Sequence, residues 1–381
     1  MERPKYEVAD VIDRFIQPFS EQCALNSYML GVLGALHNCR TAALGGHREK
    51  CDCCGKERIS YNSCRNRHCP KCQATNQAFW VEERMMQAPP VKHFHLVFTV
   101  PHELNAICLL NNRLFYELMF TCTWETLRAF GYGYYGVESG AISVLHTWGQ
   151  NLSFHPHIHC IVPACGLTLA GNIRHISKNG KYLYPGYALG QVFRGKLLQK
   201  LKQQLAADNR LAENQQLIDL AYGKQWVVHC EEPMCGPEQI VGYLSQYTHR
   251  VAISNRRILN IDNQNVTFAY KDYRDGSRQK VCKLSGVEFL RRFCMHILPK
   301  RFVRIRYYGI MSSRMKSVLP QKPPAPSIAE TPQQRMQRLT GFNVHQCPYC
   351  KKGQMHIVAE LPKIRSPGMV FSIIIKQRIS A

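Results

Sequence analysis

Two histidines on one predicted strand have the spacing of metal ligands. Residues 153–166 read SFHPHIHCIVPACG, so that His157 and His159 alternate just before an apolar run. Alternate side chains of a strand share a face, and these two imidazoles can therefore point to one place from positions about 7 Å apart along the backbone. A divalent ion could bind between them. The alternative is a polar strand end with solvent-facing histidines, and a single H-x-H does not decide between the two.

The cysteines supply a second set of metal-type ligands. The chain has 18 of them, and its first residues, MERPKYEVAD, lack the apolar block of a secretory signal, which favours reduced thiols over disulfides. Two C-x2-C knuckles, 51–54 and 69–72, are separated by 14 residues. This is close to zinc-ribbon spacing, because each knuckle turns two thiolates towards one tetrahedral ion. The first predicted structural Zn²⁺ set is Cys51, Cys54, Cys69 and Cys72.

Other cysteines and histidines leave two further metal sites open. A second possible set in the same segment is Cys39, His47, Cys64 and His68. These four side chains could instead stay free or contact DNA. A small site in the C-terminal tail could be formed by Cys347, Cys350, His345 and His356.

Two tyrosines lie four residues apart in a segment with a helix signal. Residues 236–258, GPEQIVGYLSQYTHRVAISNRRI, begin with Pro237, which suits the first turn of a helix. Residues four apart share one helix face, so Tyr243 and Tyr247 could belong to an apolar core stripe or could present two hydroxyls together. A phenol with a pKa of about 10 is a poor nucleophile at neutral pH. Catalysis by these hydroxyls would therefore need a nearby cation.

The charge of the chain predicts a polyanionic partner. There are 49 Lys and Arg against 26 Asp and Glu, a formal net charge of +23. Residues 250–316 alone carry 16 basic against 4 acidic side chains. The predicted DNA-binding residues are Arg250, Arg256, Arg257, Lys271, Arg274, Arg304 and Arg306. The sequence contains neither a basic amphipathic helix with an aromatic face nor an apolar run near the roughly 18 residues that span a bilayer, so we expect a cytoplasmic protein without a membrane partner.

The elements that must position these residues predict an α+β fold. Strand patterns cover 93–101, 140–149 and 156–164, and the last two form a predicted antiparallel hairpin. On the first strand His93 and His95 repeat the alternation, which we interpret as a strand end. Helical spacing covers 4–36, 103–130 and 193–221. The predicted units are a helical zinc-binding domain at 1–88, a nuclease-like domain at 89–258, a basic extension at 259–319, a proline-rich linker at 320–335 and a tail at 336–381.

Four of these segments, taken together, resemble a known family. The HTWG strand, the PHIHCIV strand, the YLSQYTHRVAISN helix and the SCRNRHCPKC cluster resemble the rolling-circle transposases of the insertion sequence 91 family. That family belongs to the HUH superfamily of single-strand DNA nucleases, named for a His, bulky apolar, His strand. The similarity spans roughly residues 15–316. Each motif alone is weak evidence, whereas their order and spacing are specific.

The resemblance implies a fold and a chemistry. The fold would be a central antiparallel sheet of the HUH-nuclease type, an RRM-like palm with flanking helices. His157 and His159 would bind a catalytic Mg²⁺ or Mn²⁺, although the ligands alone would also allow zinc or another transition metal. Tyr243 and Tyr247 would be paired nucleophiles that form 5′-phosphotyrosine links. The third metal ligand stays open: Gln150 is slightly preferred over His146, and Gln246 and His249 on the tyrosine helix are fallbacks.

The resemblance also implies partners. These would be single-stranded DNA at the element ends and target, close to the bacterial nucleoid. The chain has no G-x4-G-K-[ST] run, so a host helicase and the host replication machinery would act with it. The sequence does not predict an oligomeric state. Two alternatives are a rolling-circle replication initiator or relaxase with the same chemistry, and a non-catalytic zinc-ribbon regulator that binds DNA.

Overall fold

The computed structural model has a mixed α+β architecture. It describes residues 4–87, 89, 91–176, 183–230, 251–273, 275–315, 330–341 and 343–363. Within these ranges the α-helices are α1 (Val8–Gln22), α2 (Ser27–His37), α3 (Gln73–Gln87), α4 (Asn105–Leu110), α5 (Asn112–Tyr135), α6 (Gly186–Ala207), α7 (Leu211–Gly223), α8 (Gly286–Met295) and α9 (Pro332–Thr340). The strands are β1 (Gly46–Cys51), β2 (Glu57–Tyr61), β3 (His93–Thr99), β4 (Val137–Glu138), β5 (Gly140–Trp148), β6 (Phe154–Pro163), β7 (Cys165–Thr168), β8 (Ile173–His175), β9 (Val228–Cys230), β10 (Ile258–Ile261), β11 (Asn265–Asp272), β12 (Arg278–Ser285), β13 (Ile305–Gly309) and β14 (Met355–Leu361).

The central sheet has five antiparallel strands in the order β13-β5-β6-β3-β9. Its middle is the hairpin of β5 and β6, which confirms the prediction made from residues 140–149 and 156–164. The hairpin turn is closed by the Gly149 amide, which donates to the Ser153 carbonyl at 2.9 Å. The basic region contributes the edge strand β13, and β9 pairs with β3 on the opposite side.

The two faces of this sheet have different partners. On one face, β6 presents Ile158, Cys160 and Val162 to a core that includes α5 and α6 residues such as Phe120 and Phe193. The other face carries the histidines of β6, since successive side chains alternate across a strand. Farther along that second face, a small apolar cluster joins the sheet to Trp80 of α3. Helices α5 and α6 thus cover one face, and the histidines of β6 lie on the other.

A second core lies around the amphipathic helix α1. Its buried apolar side chains pack with α8 and with the three-stranded sheet β10-β11-β12. The approach is close, because a Cβ at Gly286, the first residue of α8, would lie 2.2 Å from the Phe15 ring. Helix α2 begins at the Asn26 cap, whose side chain accepts from the Met29 amide at 2.8 Å. The predicted helical content of residues 4–36 is therefore present as two helices.

A small N-terminal sheet joins the beginning and the end of the described chain. Strand β1 pairs with β2 on one side and with β14 on the other, in the order β14-β1-β2. The predicted tail thus shares a sheet with the zinc-binding segment, just as the basic extension shares the central sheet through β13.

Two helix predictions need correction. The expected helix at 193–221 is instead α6 and α7, because Asn209 adopts a left-handed backbone with φ 55° between them. The YLSQYTHRVAISN helix expected within 236–258 does not continue to the end of that motif, since no α-helix is present at residues 251–255 and Asn255–Arg257 form a 3-10 turn. Its residues 236–250 lie outside the described residues. Among the helices that the structure describes, none combines the length and apolar character required to cross a membrane.

Candidate metal centres

Three histidines meet on the second face of the central sheet. His146 of β5 is the direct register partner of His157 of β6, so both point to the same side. His159 follows two residues later on that face. One ring nitrogen of each histidine lies within 4.8 Å of the others. The alternation seen in the sequence therefore produces a convergent cluster of three imidazoles.

Neighbouring groups orient the imidazoles of this histidine cluster. The His157 Nδ1 lies 2.6 Å from the carbonyl oxygen of His155, to which it can donate, and its Nε2 is then the coordinating atom. The His159 Nδ1 lies 2.8 Å from the Nε2 of His95 on β3. Trp148 stacks on His146 with ring centroids 4.7 Å apart. Metal-binding histidines generally have such a partner on the second ring nitrogen.

Burial keeps two of these imidazoles, those of His157 and His159, neutral. It lowers the pKa of His157 to about 3, with a further contribution from the charge of His155. Burial also holds the pKa of His159 well below its ordinary value, and the charges of His146 and His157 act in the same direction. Neutral imidazole is the form that binds a metal ion. These two rings are therefore able to bind a metal ion at neutral pH.

The donor set decides which ions fit. Three imidazole nitrogens suit zinc, iron, nickel and copper best; Mn²⁺, a transition metal, binds them more weakly, and Mg²⁺ prefers oxygen ligands. The residues present thus fit the Mn²⁺ implied by the resemblance better than the Mg²⁺.

The candidates for a third ligand are placed differently from one another. His146 joins the histidine pair. Gln150 was expected to share its strand face, but β5 ends at Trp148 and Gln150 lies in the turn that follows. Its carbonyl oxygen accepts a hydrogen bond from Arg257. The fallback ligands Gln246 and His249 lie outside the described residues.

His95 was interpreted from the sequence as part of a plain strand end, and its contact with His159 was not predicted. The H-x-H spacing of residues 93 and 95 could have suggested this contact. The pairing of β3 with β6 brings His95 next to His159. His93, two residues earlier on the same strand, lies instead 2.8 Å from the carbonyl of Val91 through its Nδ1.

Four thiols form a second cluster, which includes Cys39 just after the C-terminal end of α2. They belong to Cys39, Cys64, Cys69 and Cys72 and lie within 4.8 Å of one another. The Cys72 sulfur is 3.5 Å from that of Cys39 and 3.7 Å from that of Cys64. Tetrahedral zinc with Zn–S bonds of about 2.3 Å requires sulfurs about 3.8 Å apart. Hydrogen bonds from Cys64 and Cys69 lower the pKa of Cys39 to about 7, which favours the thiolate that binds zinc.

The zinc sets predicted from spacing were grouped incorrectly. Cys51 and Cys54 lie with Cys347 and Cys350, and do not share a cluster with Cys69 and Cys72. The reason is the β1–β2 hairpin, which separates these two knuckles.

The histidines proposed as zinc ligands that the structure groups elsewhere, His47, His68 and His356, contact residues outside the cysteine clusters. His47 contacts the Glu49 carboxylate at 3.0 Å. His68 lies in a small cavity with Trp148 and Arg304, and burial lowers its pKa to about 3. In the tail, His356 contacts the Asp52 carboxylate at 3.3 Å. The tail cysteines thus meet the N-terminal knuckle and not the predicted set with His345 and His356.

Comparison with known proteins agrees with this arrangement of motifs. A family model described as "Transposase zinc-binding domain" matches residues 11–100, and one described as "Putative transposase" matches residues 140–318. A "Putative transposase y4qJ" of Sinorhizobium fredii (strain NBRC 101917 / NGR234) is 41% identical over 96% of this chain and 98% of its own length. The chain belongs to the insertion sequence 91 family of transposases.

A second relative supports the same assignment. The "Transposase for insertion sequence element IS801" of Pseudomonas savastanoi pv. phaseolicola is 30% identical over 73% of this chain and 68% of its own length. No solved structure gives a significant match. As a transposase, the protein acts on DNA, and its zinc-binding domain includes the Cys39 cluster.

The predicted DNA-binding residues of the transposase differ in their surroundings. Arg256 and Lys271 are exposed. Arg257 donates to the carbonyls of Ala269 and Gln150, so it holds β11 against the β5–β6 turn. Arg250 and Arg274 lie outside the described residues.

Two further arginines are partly enclosed. Arg306 pairs with the Glu117 carboxylate at 2.7 Å and lies over the Phe120 ring. Arg304 lies over the Trp148 ring, where burial lowers its pKa to about 9, and its charge reaches His159. Arg304 is thus a cation close to the histidine cluster.

Proposed function

We propose that this transposase cuts and rejoins single-stranded DNA at the ends of its element through 5′-phosphotyrosine intermediates. The observation that carries the proposal is the convergence of His146, His157 and His159 on one face of the sheet. A DNA-binding regulator without catalysis would have no use for three imidazoles that converge on one point.

The histidine cluster would hold a divalent ion, and the donor set favours Mn²⁺ over Mg²⁺. Such an ion, when bound, supplies positive charge to the scissile phosphate and its developing negative charge. The chain's own contribution is to hold the three ring nitrogens in place. His95 and the carbonyl of His155 fix two of the rings, so the ligands need little rearrangement.

We assign the nucleophiles to Tyr243 and Tyr247, which lie outside the described residues. The described ends of that segment support the assignment. Before it, Cys230 pairs with Leu96 of β3, the strand that carries His95. After it, Val251 lines the cavity shared with Trp148, the ring stacked on His146. The chain therefore leaves from and returns to the neighbourhood of the histidine cluster.

The proposed reaction is a reversible transesterification. The phenolic oxygen bonds to phosphorus, and the bond from phosphorus to the 3′ oxygen breaks. The phenol proton is lost to solvent and the departing 3′ oxygen takes up a proton, leaving a free 3′-hydroxyl. Attack of a 3′-hydroxyl on the phosphotyrosine reverses the steps and rejoins a strand without ATP. Two tyrosines allow one strand to be held while a second is cut.

The DNA would be bound along the basic region. Arg256 and Lys271 are exposed and can contact successive phosphates, while Arg304 can contact a phosphate near the histidine cluster. Because the chain carries no nucleotide-hydrolysing P-loop, we also assign strand separation to a host helicase acting in the cytoplasm at the nucleoid, with the replication machinery.

The test is a cleavage assay on labelled single-stranded oligonucleotides from the element ends, with Mn²⁺. We expect a covalent protein–DNA band and a free 3′ end, both abolished by chelation. His157→Ala or His159→Ala should abolish cleavage and leave DNA binding intact. His175→Ala, at an exposed position of β8, is the matched control and should cleave normally. Full cleavage by the His157 and His159 variants, or in excess chelator, would refute the proposal.

A further inference from the structure

A third metal-type cluster joins residues from the two ends of the chain. The sulfurs of Cys51, Cys54, Cys347 and Cys350 lie within 4.8 Å of one another. The Cys51 and Cys350 sulfurs are 3.8 Å apart, and those of Cys54 and Cys347 are 3.7 Å apart. Both values match the sulfur separation of about 3.8 Å around tetrahedral zinc, and both far exceed a disulfide bond of about 2 Å.

The two C-x2-C turns of this cluster have the same local structure. The backbone amides of Cys53 and Cys54 point to the Cys51 sulfur, and those of Tyr349 and Cys350 point to the Cys347 sulfur. In each turn the residue after the second cysteine donates to the carbonyl of the first, at 3.1 Å from Gly55 and at 3.0 Å from Lys351.

Both turns also have the same backbone conformation at the residue after the second cysteine. Gly55 and Lys351 both have a left-handed backbone, with φ 68° and 58°. For Lys351 this conformation is unfavourable, since side chains rarely adopt it. Amides directed at sulfur stabilise thiolate ligands, and matched turns of this kind bring four thiolates to one ion.

The surrounding contacts hold the turns together. Strand β14 pairs with β1 from Gly46 opposite Leu361 to Cys51 opposite Met355, with one register shift between Arg48 and Glu49. Gly353 lies so close that a Cβ there would be 2.7 Å from the Cys51 sulfur. The Gln354 amide donates to the Asp52 carboxylate at 2.8 Å.

We propose that Cys51, Cys54, Cys347 and Cys350 form a second structural zinc site that fastens the C-terminal segment to the N-terminal zinc-binding domain. The site is independent of the nuclease chemistry proposed above, since it shares no ligand with the histidine cluster. It would make β14 a permanent part of the N-terminal sheet. Its loss should release the tail and leave the Cys39 cluster loaded.

Zinc stoichiometry of the full-length protein tests the proposal. The histidine cluster also accepts zinc, so the count is made in a His157→Ala/His159→Ala background. Native mass spectrometry after dialysis should find two zinc ions per chain in this histidine-free parent and one when Cys347→Ser/Cys350→Ser is added. Cys53→Ser is the matched control, because Cys53 is exposed, lies between the proposed ligands and should keep two ions. One zinc in the histidine-free parent, or two after Cys347→Ser/Cys350→Ser is added to it, would overturn the proposal.

A measurement on the wild type alone identifies the ligands. Partial chelation to the one-zinc state, followed by maleimide labelling and peptide mapping, should expose one group of four thiols together. We expect that group to be Cys51, Cys54, Cys347 and Cys350. If the Cys39 cluster releases its zinc first, its four thiols should be labelled together while Cys51, Cys54, Cys347 and Cys350 stay protected. Protection of Cys51 and Cys54 that is lost independently of Cys347 and Cys350 would overturn the shared site. Both readouts are separate from DNA cleavage, so a failed nuclease assay leaves them interpretable.

Discussion

His95 should set the metal affinity of the transposase without touching the ion. Its Nε2 lies 2.8 Å from the His159 Nδ1, and its side chain is fully buried. When His159 coordinates through Nε2, its Nδ1–H must donate, and His95 is the acceptor. His95→Phe removes that acceptor and keeps an aromatic ring of similar size.

The size of the effect follows from the buried donor that His95→Phe would leave behind. An unsatisfied buried N–H costs about 1–3 kcal/mol, and loss of such an outer partner lowers metal affinity by about 10–100-fold. We therefore expect the Mn²⁺ concentration for half-maximal cleavage to rise by about 10–100-fold. Free Mn²⁺ measured by electron paramagnetic resonance should show the same change in direct binding.

Two variants separate positioning from general damage to the sheet. His95→Gln can restore an acceptor and should recover much of the affinity. His93→Phe changes a buried histidine of the same strand that contacts the Val91 carbonyl, and it should leave Mn²⁺ affinity unchanged. Unaltered Mn²⁺ affinity in His95→Phe, or an equal loss in His93→Phe, would refute the reasoning.

Three further predictions concern other parts of the molecule. Tyr243→Phe/Tyr247→Phe should abolish the covalent DNA adduct on a denaturing gel while each single variant still nicks; an adduct in the double variant would exclude both nucleophiles. Arg256→Ala/Lys271→Ala should reduce the salt dependence of single-strand binding by about 1.4 in log–log slope, at about 0.7 per lost phosphate contact, and an unchanged slope in a binding titration would place the DNA elsewhere. Burial lowers the folded-state pKa of His296 to about 4, below its unfolded value of about 6.5, so its contribution is present above pH 6.5 and is lost as pH falls towards 4. Urea unfolding should therefore show a loss of about 2 kcal/mol from this group between pH 7 and pH 5, and His296→Asn should lose less over that interval than the wild type.

The sequence predicts the central hairpin because its pattern is local. Apolar runs bounded by turn residues identify β5 and β6, and alternation places His157 and His159 on one face. The third member of the cluster depends on register, since a shift of one residue in the pairing would turn His146 to the opposite face. Spacing alone leaves that register open, which is why Gln150 was slightly preferred to His146 from the sequence. The contact of His95 with His159 depends on the pairing of β3 with β6, a relation between segments far apart in the chain.

The cysteine grouping shows a different reason why spacing fails. Residues 39–72 contain two C-x2-C pairs and the single cysteines Cys39 and Cys64, and counting residues favours joining the two pairs. The intervening hairpin prevents this, because Cys51 ends β1 at the turn, whereas Gly46 and Tyr61 pair at its open end. Five residues of strand separate the two ends by about 17 Å. A thiolate at the turn cannot reach an ion held at the open end.

The same hairpin explains which thiols do meet. Cys39 precedes β1, and Cys64, Cys69 and Cys72 follow β2, so all four lie at the open end and can surround one ion. The knuckle at the turn, Cys51 and Cys54, needs two more ligands. The pairing of β14 with β1 places the C-x2-C turn that precedes β14 beside Cys51. Each end of one short hairpin thereby holds its own group of four thiols, one against the N-terminal helices and one against the C-terminal segment. A pair of strands with few buried apolar side chains has little hydrophobic stabilisation of its own, and metal binding at both ends can supply the folding free energy that its core lacks.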